Sequence, residues 1–246
     1  MEEKALKKNK RLTIKDIVCI SIILLLTAVI VVMVIALFQQ KSPQEQLQTE
    51  YYNQKVATFT NENPNLSKGQ IVFIGDSITD YCILDNYYSD LSKETYNRGI
   101  GGDITSGVIN RLQVSLYDIE PSEIVLMIGI NDINIGRPLD EIANNYKYIL
   151  DDIKLHLPNA KLFSMSIIPM NEDLGFFSDI DSQNQKVIAV NSKIEPLVVE
   201  RGYTYLDLFS QVKDENNRLI KNYSSDGIHL NDAGYKVWAG MIKPLL

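Results

Sequence analysis

Residues that usually cross-link a small fold or bind metal are scarce in this sequence, which has two cysteines and two histidines among 246 residues. Cys19 lies in a long apolar run and Cys82 lies far beyond it, so the two cannot form a disulfide within one domain. The fold must therefore be stable without a disulfide bond. No spacing of cysteine and histidine fits a zinc site, and we expect neither a metal nor a cofactor.

Positive charge is scarce beyond the first 16 residues. The formal net charge is −7, and residues 17–246 contain 18 basic residues against 28 acidic ones. An acidic surface repels a phosphodiester backbone, so nucleic acid is not an expected partner.

Two common site motifs are also missing. The sequence has no Gly-x-Ser-x-Gly, which excludes the nucleophile elbow of the α/β-hydrolases. The glycines within Gly99–Gly102 lack both the Gly-Lys-Ser/Thr ending and the Gly-x-Gly-x-x-Gly spacing. This absence argues against a phosphate-binding loop.

Charge is absent from the 22 residues between Ile17 and Phe38. As a helix this run would be about 33 Å long, enough to cross a bilayer. A cleaved signal peptide is the alternative, but its apolar region would be shorter and would end in small residues, whereas Phe38 is followed by Gln-Gln. A lipidated cysteine is a weaker alternative, because Cys19 stands at the start of the run. We therefore expect an uncleaved signal anchor.

The basic residues decide the expected orientation of this anchor. Only Lys41 closely follows the run, whereas six bases precede it: Lys4, Lys7, Lys8, Lys10, Arg11 and Lys15. The positive-inside rule then predicts a single-pass protein of the cell membrane with a cytoplasmic N-terminus and its large domain outside. The predicted division is a basic cytoplasmic segment over 1–16, the anchor over 17–38, a polar and partly helical stalk over 39–67, and the main domain over 68–246.

Short β-type runs alternate with helical patterns throughout the main domain. Strands are predicted at 71–74, 95–98, 123–128, 161–167 and 203–206, and the clearest amphipathic helices at 139–157 and 183–200. This alternation predicts the α/β class, with a five-stranded parallel sheet covered by helices on both faces. Functional groups gather at the carboxyl ends of such strands. The segments Gly75–Ser77, Gly99–Asp103 and Gly129–Asp132 follow the first three strands and so meet at one edge.

Ser77 is the candidate nucleophile, because it follows a buried strand and a flexible Gly75. A serine hydroxyl needs a base within hydrogen-bond reach and a group that holds that base in the right tautomer. His229 follows Asp226 by three residues on a predicted turn, so Asp226 can bond Nδ1 while Nε2 faces Ser77. Asp207, at the end of the fifth predicted strand, is the alternative partner for the histidine.

The second histidine, His156, ends an amphipathic helix, which is typical of a solvated residue near the helix dipole. Cys82, five residues after Ser77, is interpreted as a packing residue rather than a second nucleophile. Three carboxylates at the strand ends, Asp76, Asp103 and Asp132, raise the alternative of a divalent metal.

Four sequence blocks together resemble the GDSL, or SGNH, hydrolase family. They are Gly75–Thr79, Asn97–Asp103, Gly129–Asp132 and Asp226–Leu230, and they occur in the family's order over residues 70–246. The first block departs mildly from the family name, since Ile78 stands where a leucine is expected. The resemblance implies a three-layer, flavodoxin-like SGNH fold and a serine esterase or acylhydrolase activity.

The resemblance also implies roles for individual residues. Ser77 would be the nucleophile and, through its backbone N–H, an oxyanion donor. Gly102 would supply a second N–H, chosen over the other glycines of its block because it directly precedes an aspartate. Asn131 would donate through its side-chain amide, and Asp226 with His229 would complete the catalytic triad. The acidic neighbours of these residues would be structural hydrogen-bond partners, not metal ligands.

The substrate is expected to be a small acyl ester, most simply an acetyl ester of a polar alcohol. The loops near the motifs are polar and contain no lid-sized apolar insertion, and a site outside the membrane favours acylated envelope carbohydrate. A lysophospholipase or thioesterase, and a catalytically silent glycan-binding envelope protein, stay open as alternatives. The aromatic residues that can line a groove are Tyr81, Tyr87, Phe176 and Phe177, with core or surface packing as their default interpretation.

Overall fold

The structure, a computed structural model, describes residues 13–39, 42–171 and 179–246. Most of the basic segment predicted over 1–16 lies outside the described residues, as do Phe176 and Phe177. The chain divides into two compact units, Met1–Leu47 and Gln48–Leu246.

In the first unit, helix α1 spans Ile14–Gln39 and includes the whole uncharged run. It contains neither glycine nor proline, so nothing in its sequence breaks the helix. The stretch Ile14–Met33 is long and apolar enough to cross a membrane, and its side chains are exposed. A signal sequence near an N-terminus can have the same length and composition.

The described residues of the second unit contain five strands and most of the helices. The strands are β1 (Ile71–Gly75), β2 (Thr95–Gly99), β3 (Glu123–Met127), β4 (Lys161–Met165) and β5 (Thr204–Leu206). The helices after α1 are α2 (Pro43–Glu62), α3 (Ser77–Asp80), α4 (Asp85–Tyr88), α5 (Thr105–Asn110), α6 (Ile130–Asn134), α7 (Leu139–His156), α8 (Ile180–Glu200), α9 (Leu208–Val212) and α10 (Asp232–Ile242).

All five strands are parallel and lie in the order β2-β1-β3-β4-β5. Strands β1 and β3 are buried along their full length, as expected when helices cover both faces of a parallel sheet. The chain reverses its direction of winding between these two central strands, and ligands bind at such switch points outside the carboxyl ends of the strands. The predicted α/β class and parallel five-stranded sheet are confirmed.

Strand β4 ends at Met165, two residues before the predicted end at 167. Beyond that point, side-chain amides of α8 form hydrogen bonds with the backbone in place of a neighbouring strand. Asn191 accepts from the Ile167 N–H at 2.9 Å and donates to its carbonyl at 2.8 Å, and Asn184 makes the same pair with Met170. The backbone at Ile167 and Met170 therefore stays hydrogen bonded while the chain leaves the sheet.

The second unit begins at Gln48, well before the predicted domain boundary at residue 68. The predicted stalk is helical over α2, and from Gln48 onward it belongs to the compact unit. Phe59 is 2% exposed and lies under the Arg98 guanidinium, 4.5 Å from ring centroid to Cζ. Asn63 donates to the Val114 carbonyl at 2.8 Å. The sequence pattern concealed this packing because most side chains on the contacting face of α2 are polar.

Candidate active site

Ser77 is the first residue of α3, directly beyond the carboxyl end of β1. The Asp76 side chain caps this helix by accepting from the Ile78 N–H at 3.0 Å. A side chain cannot replace the hydrogen of Gly75, because a Cβ there would lie 2.2 Å from the Met127 carbonyl oxygen. The Gly-Asp-Ser sequence thus allows a tight turn that holds Ser77 at the edge of the sheet.

A continuous hydrogen-bonded line joins Ser77, His229 and Asp226. His229 Nε2 lies 2.8 Å from Ser77 Oγ, and His229 Nδ1 lies 2.6 Å from Asp226 Oδ2. The other carboxylate oxygen of Asp226 accepts the backbone N–H groups of Ile228 and His229, at 2.9 and 2.8 Å. This local turn orients the imidazole, and the fold places Ser77 beside it, so the three side chains that the sequence singled out lie together.

The ionisation of Asp226 suits the support of an imidazolium. Partial burial acts to raise its pKa, but the hydrogen bonds from His229 and the Ile228 N–H outweigh burial and hold the pKa below its usual value. The carboxylate is therefore charged at neutral pH.

The alternative residues lie elsewhere. Asp207 caps α9, accepting from the Ser210 N–H at 3.1 Å and from its hydroxyl at 2.5 Å. His156 stacks on Tyr117 with ring centroids 4.5 Å apart and bonds the Asp152 carbonyl of its own helix. Burial raises the pKa of the Cys82 thiol to about 12, so it is not a competing nucleophile.

Gly102 occupies a tight turn beyond β2. The Asp103 N–H donates to the Ile100 carbonyl at 3.1 Å, and Gly102 has a φ of 73°, the pattern of a type II turn with glycine at its third position. Gly102 is exposed, and within the described residues its N–H donates to no acceptor. This donor is available to a ligand.

Asn131 lies on α6, directly beyond β3. Its Nδ2 donates to the Asp103 carbonyl at 2.9 Å, which places the amide beside the Gly102 turn. A primary amide has two N–H groups, so one is still free for a ligand. The side chain is thus held by the loop with which it would act.

The three acidic neighbours form part of a buried polar network. The Arg111 Nε donates to Asp103 at 2.8 Å, and its two terminal nitrogens donate to the carbonyls of Arg98 and Gly75, at 2.7 and 2.9 Å. Asp132 accepts the N–H and hydroxyl of Thr105. These partners link the loops beyond β1, β2 and β3, which fits the structural role that the resemblance implied for the carboxylates.

Burial alters the acid–base behaviour of this network. Burial is the main cause that raises the pKa of Asp103 and of Asp132. Arg111 opposes the rise at Asp103, and hydrogen bonds from Thr105 oppose it at Asp132. Among the described residues, no group of three His, Cys, Asp or Glu side chains is arranged to hold a metal ion. The expected absence of a metal and of a cofactor stays a prediction.

Asp76 permits a test of the pH dependence of stability. Burial raises its pKa to about 7, the nearby Asp103 and Asp132 add to this rise, and the Ile78 N–H and Arg111 oppose it. A carboxyl with a raised pKa binds its proton more tightly in the folded state, so stability is lost as the pH rises from about 4 through about 7. In Asp76→Asn the neutral amide oxygen can still accept from the Ile78 N–H.

We expect the Tm of Asp76→Asn, relative to that of the unaltered protein, to rise progressively between about pH 4 and about pH 7 and to level off above that. Thermal melts of both proteins in the same buffers measure this difference. A Tm difference that does not vary with pH would contradict a carboxyl that is protonated below neutrality in the folded state.

Two features of the site were not predicted from the sequence. Arg111 is fully buried and joins the motif loops, but a lone arginine in a helical pattern gave no signal. The α2 helix contacts the Gly101–Gly102 turn, and its only signal was a face of polar residues at helical spacing.

Of the aromatic candidates, Tyr81 is 56% exposed with its ring centroid 5.0 Å from that of His229, whereas Tyr87 bonds Asp232 at 3.0 Å.

Comparison with known proteins is consistent with this geometry. Residues 73–237 match the model of the GDSL-like Lipase/Acylhydrolase family. Platelet-activating factor acetylhydrolase IB subunit alpha2 of Homo sapiens is 27% identical over 184 residues, which are 71% of this chain and 73% of that protein.

Two solved structures illustrate the shared fold. A Streptococcus pneumonia protein described as a platelet activating factor has a TM-score of 0.74 and 27% identity, covering 87% of this chain and 98% of its own. A GDSL-like lipase from Bacteroides thetaiotaomicron has a TM-score of 0.68 and 21% identity, covering 77% of this chain and 96% of its own, a likeness that shows the fold alone.

Proposed function

The chain belongs to the GDSL-like lipase/acylhydrolase family and is an ester-hydrolysing enzyme, and from this premise we propose that it is a serine esterase that removes a small acyl group. The observation that carries the proposal is the hydrogen-bonded line from Ser77 through His229 to Asp226. In this proposal these three residues form the catalytic triad.

The geometry supports a two-step acyl transfer. Ser77 Oγ attacks the ester carbonyl carbon while its proton passes to His229 Nε2. The carbon–oxygen bond of the leaving group then breaks, and Nε2 returns the proton to the departing alcohol oxygen. A water molecule repeats the attack on the acyl-enzyme, giving the carboxylic acid and free Ser77. Asp226 keeps the imidazole oriented and stabilises its protonated form.

Three donors would stabilise the oxyanion of each tetrahedral intermediate. They are the backbone N–H groups of Ser77 and Gly102 and the side-chain amide of Asn131. Ser77 is at the start of a helix, where the backbone N–H is not used by the helix itself. Donors fixed in place before the reaction stabilise developing charge without a reorganisation cost.

We take acetyl as the acyl group. A relative that is 27% identical over most of both chains is named an acetylhydrolase, and the polar loops around Ser77 favour a small acyl group over a long chain. Location outside the membrane would make acylated carbohydrate of the cell envelope the natural substrate class.

Nitrophenyl esters of increasing acyl length test this proposal. We expect the highest kcat/KM for the acetyl ester, with a fall of roughly tenfold or more by octanoyl. A maximum at octanoyl would replace the acetyl proposal by a lysophospholipase or thioesterase. Release of acetate from O-acetylated polysaccharide then tests whether acylated carbohydrate is the substrate class.

A fluorophosphonate probe separates an active enzyme from a silent binding protein, because it labels only an activated serine. We expect labelling of the unaltered protein and of Ser192→Ala, a control at an exposed serine of α8, but none of Ser77→Ala. Absence of labelling in all three proteins would favour the silent alternative.

We further propose that α1 is a signal anchor with a cytoplasmic N-terminus and that the unit from Gln48 onward lies outside. Its length, its exposed apolar side chains and the basic residues before it support this arrangement. Protease added to intact cells should then digest the outer unit. If the unit is protected until the membrane is broken, the topology and the envelope substrate both have to be abandoned.

Deletion of residues 1–40 should release a soluble enzyme with an unchanged kcat on a small soluble ester. The compact unit Gln48–Leu246 keeps all of its internal contacts in this variant, and α2 is retained in full. Fractionation and nitrophenyl acetate assays measure the two outcomes. An aggregated product, or a large fall in kcat, would show that the anchor contributes to the fold of the enzyme.

A further inference from the structure

One face of α2 lies against the active-site end of the second unit. The contacting residues recur every three or four positions, the spacing of one helix face, and are Gln48, Tyr51, Tyr52, Lys55, Phe59 and Glu62. The Tyr52 hydroxyl donates to the Gly107 carbonyl at 2.9 Å, and Glu62 pairs with Arg98 at 3.1 Å. Helix α2 is thereby attached to helix α5 and to strand β2.

Towards its N-terminal end, α2 contacts the helix that carries the nucleophile. Lys55 Nζ lies 2.7 Å from Asp80 Oδ1, and the Tyr51 hydroxyl donates to Asp80 Oδ2 at 2.5 Å. Asp80 ends α3, three residues after Ser77, and its side chain is only 6% exposed. A buried carboxylate with two donors from α2 is a strong attachment point, because an unpaired charge there would be costly.

The same carboxylate holds the turn that contains Gly102. Asp80 Oδ2 also accepts the Gly101 N–H at 2.8 Å, and the side-chain amide of Gln48 donates to the Gly101 carbonyl. The Gln48 amide lies directly against Gly102, since a Cβ on that glycine would be 2.5 Å from Gln48 Nε2. Both polar groups of Gly101 are therefore held, one by Asp80 and the other by α2 itself.

The Gly101 carbonyl and the Gly102 N–H belong to one peptide group, and in a trans peptide they point in opposite directions. This peptide is the central one of the type II turn, and its rotation by half a turn would convert type II into type I and reverse the N–H. Two consecutive glycines offer little steric resistance to such a rotation. A hydrogen bond to the carbonyl selects one orientation.

We propose that Gln48 is a positioning residue of the esterase, which fixes the Gly101–Gly102 peptide so that the Gly102 N–H faces the reacting ester. This inference rests on the proposed role of Gly102 as an oxyanion donor. Helix α2, which joins the candidate anchor to the enzyme, is then part of the active-site framework and not a spacer. Gln48 does not touch the reacting atoms, and it acts through the peptide that does.

The test compares Gln48→Ala and Gln48→Glu with Gln54→Ala in the full-length protein. Glutamate keeps the shape of glutamine but has no N–H to donate. Gln54 lies on the same helix with its side chain bonded to Glu50, so it controls for general effects of altering α2. The measurements are kcat and KM for nitrophenyl acetate, the Tm, and inhibition by a methyl trifluoromethyl ketone, which forms a tetrahedral oxyanion on an active serine.

We expect kcat of Gln48→Ala to fall roughly fivefold, the factor that corresponds to a net hydrogen bond of ordinary strength. KM should stay unchanged, and the Tm should fall by no more than the roughly 2–4 °C that one lost hydrogen bond costs. The affinity for the trifluoromethyl ketone should fall in parallel with kcat, and Gln48→Glu should show at least the same loss. Gln54→Ala should retain full activity. This split between kcat and KM identifies a group that acts on the transition state.

Unchanged kcat in Gln48→Ala, a loss confined to KM, a loss that follows the Tm, or an equal loss in Gln54→Ala would each overturn the positioning role. If instead the proposed serine esterase function were wrong, the result would differ, because Ser77→Ala would keep its activity and its fluorophosphonate labelling. An inactive Ser77→Ala beside a fully active Gln48→Ala refutes the role of Gln48 alone.

Discussion

Replacement of Ser77 by alanine should lower kcat/KM for nitrophenyl acetate by about 10⁴-fold or more, and His229→Ala should do the same. Ser77 supplies the attacking oxygen, and the His229 imidazole, 2.8 Å away, is the only base bonded to it among the described residues. Without either group the acyl-enzyme cannot form. The residual rate would come from binding and from the oxyanion donors that are left.

The double variant distinguishes a catalytic unit from two separate contributions. We expect Ser77→Ala/His229→Ala to be scarcely slower than either single variant, because residues that act as one unit are not additive. Losses that multiply would contradict the proposed pairing. Asp207→Ala is a suitable control, since that carboxylate caps α9 and bonds only Ser210 among the described residues, so its loss should leave the chemical step intact.

Replacement of Asn131 by alanine should lower kcat by roughly 10² to 10³-fold with little change in KM. The amide would act on the charge that develops in the transition state and much less on the neutral ester. Loss of its bond to the Asp103 carbonyl is expected to cost about 1 kcal/mol, which lowers the Tm of a unit of this size by about 2–4 °C. The variant should therefore stay folded at assay temperature.

Asn131→Asp tests whether the side-chain N–H donor, and not the shape of the side chain, is what the reaction needs. The carboxylate has almost the same shape as the amide but offers no donor and places negative charge beside the oxyanion, so we expect it to lose at least as much activity as alanine. Inhibition by the trifluoromethyl ketone should weaken in parallel with kcat for both variants. A change confined to KM would show that Asn131 only positions the substrate.

Predictions that depended on a short stretch of chain agreed closely with the structure. The strand starting at Ile71 and its end at the flexible Gly75 follow from local sequence. Asp226 and His229 are three residues apart, so a single turn settles their contact, and the sequence indicated it. Their catalytic roles stay predictions until the variants are measured.

Contacts between residues that are distant in sequence were harder to predict. The boundary expected at residue 68 lies beyond the start of the compact unit at Gln48, because α2 contacts it mainly through tyrosine hydroxyls, an amide and charged groups. Such a face has no apolar stripe for a periodicity argument to find. Arg111 was missed for a related reason, since its burial depends on carbonyls and a carboxylate from separate loops.

The sequence by itself determined the α/β class, the order of the motif blocks and the residue types of the site, because strand periodicity, glycine turns and close Asp-His spacing are local properties. Only the tertiary structure decided that His229 meets Ser77 across 152 positions, that Asp226 and not Asp207 supports it, and that α2 holds the Gly101–Gly102 turn. Those contacts depend on how the strands and helices pack, and packing is a property of the whole chain that no single segment encodes.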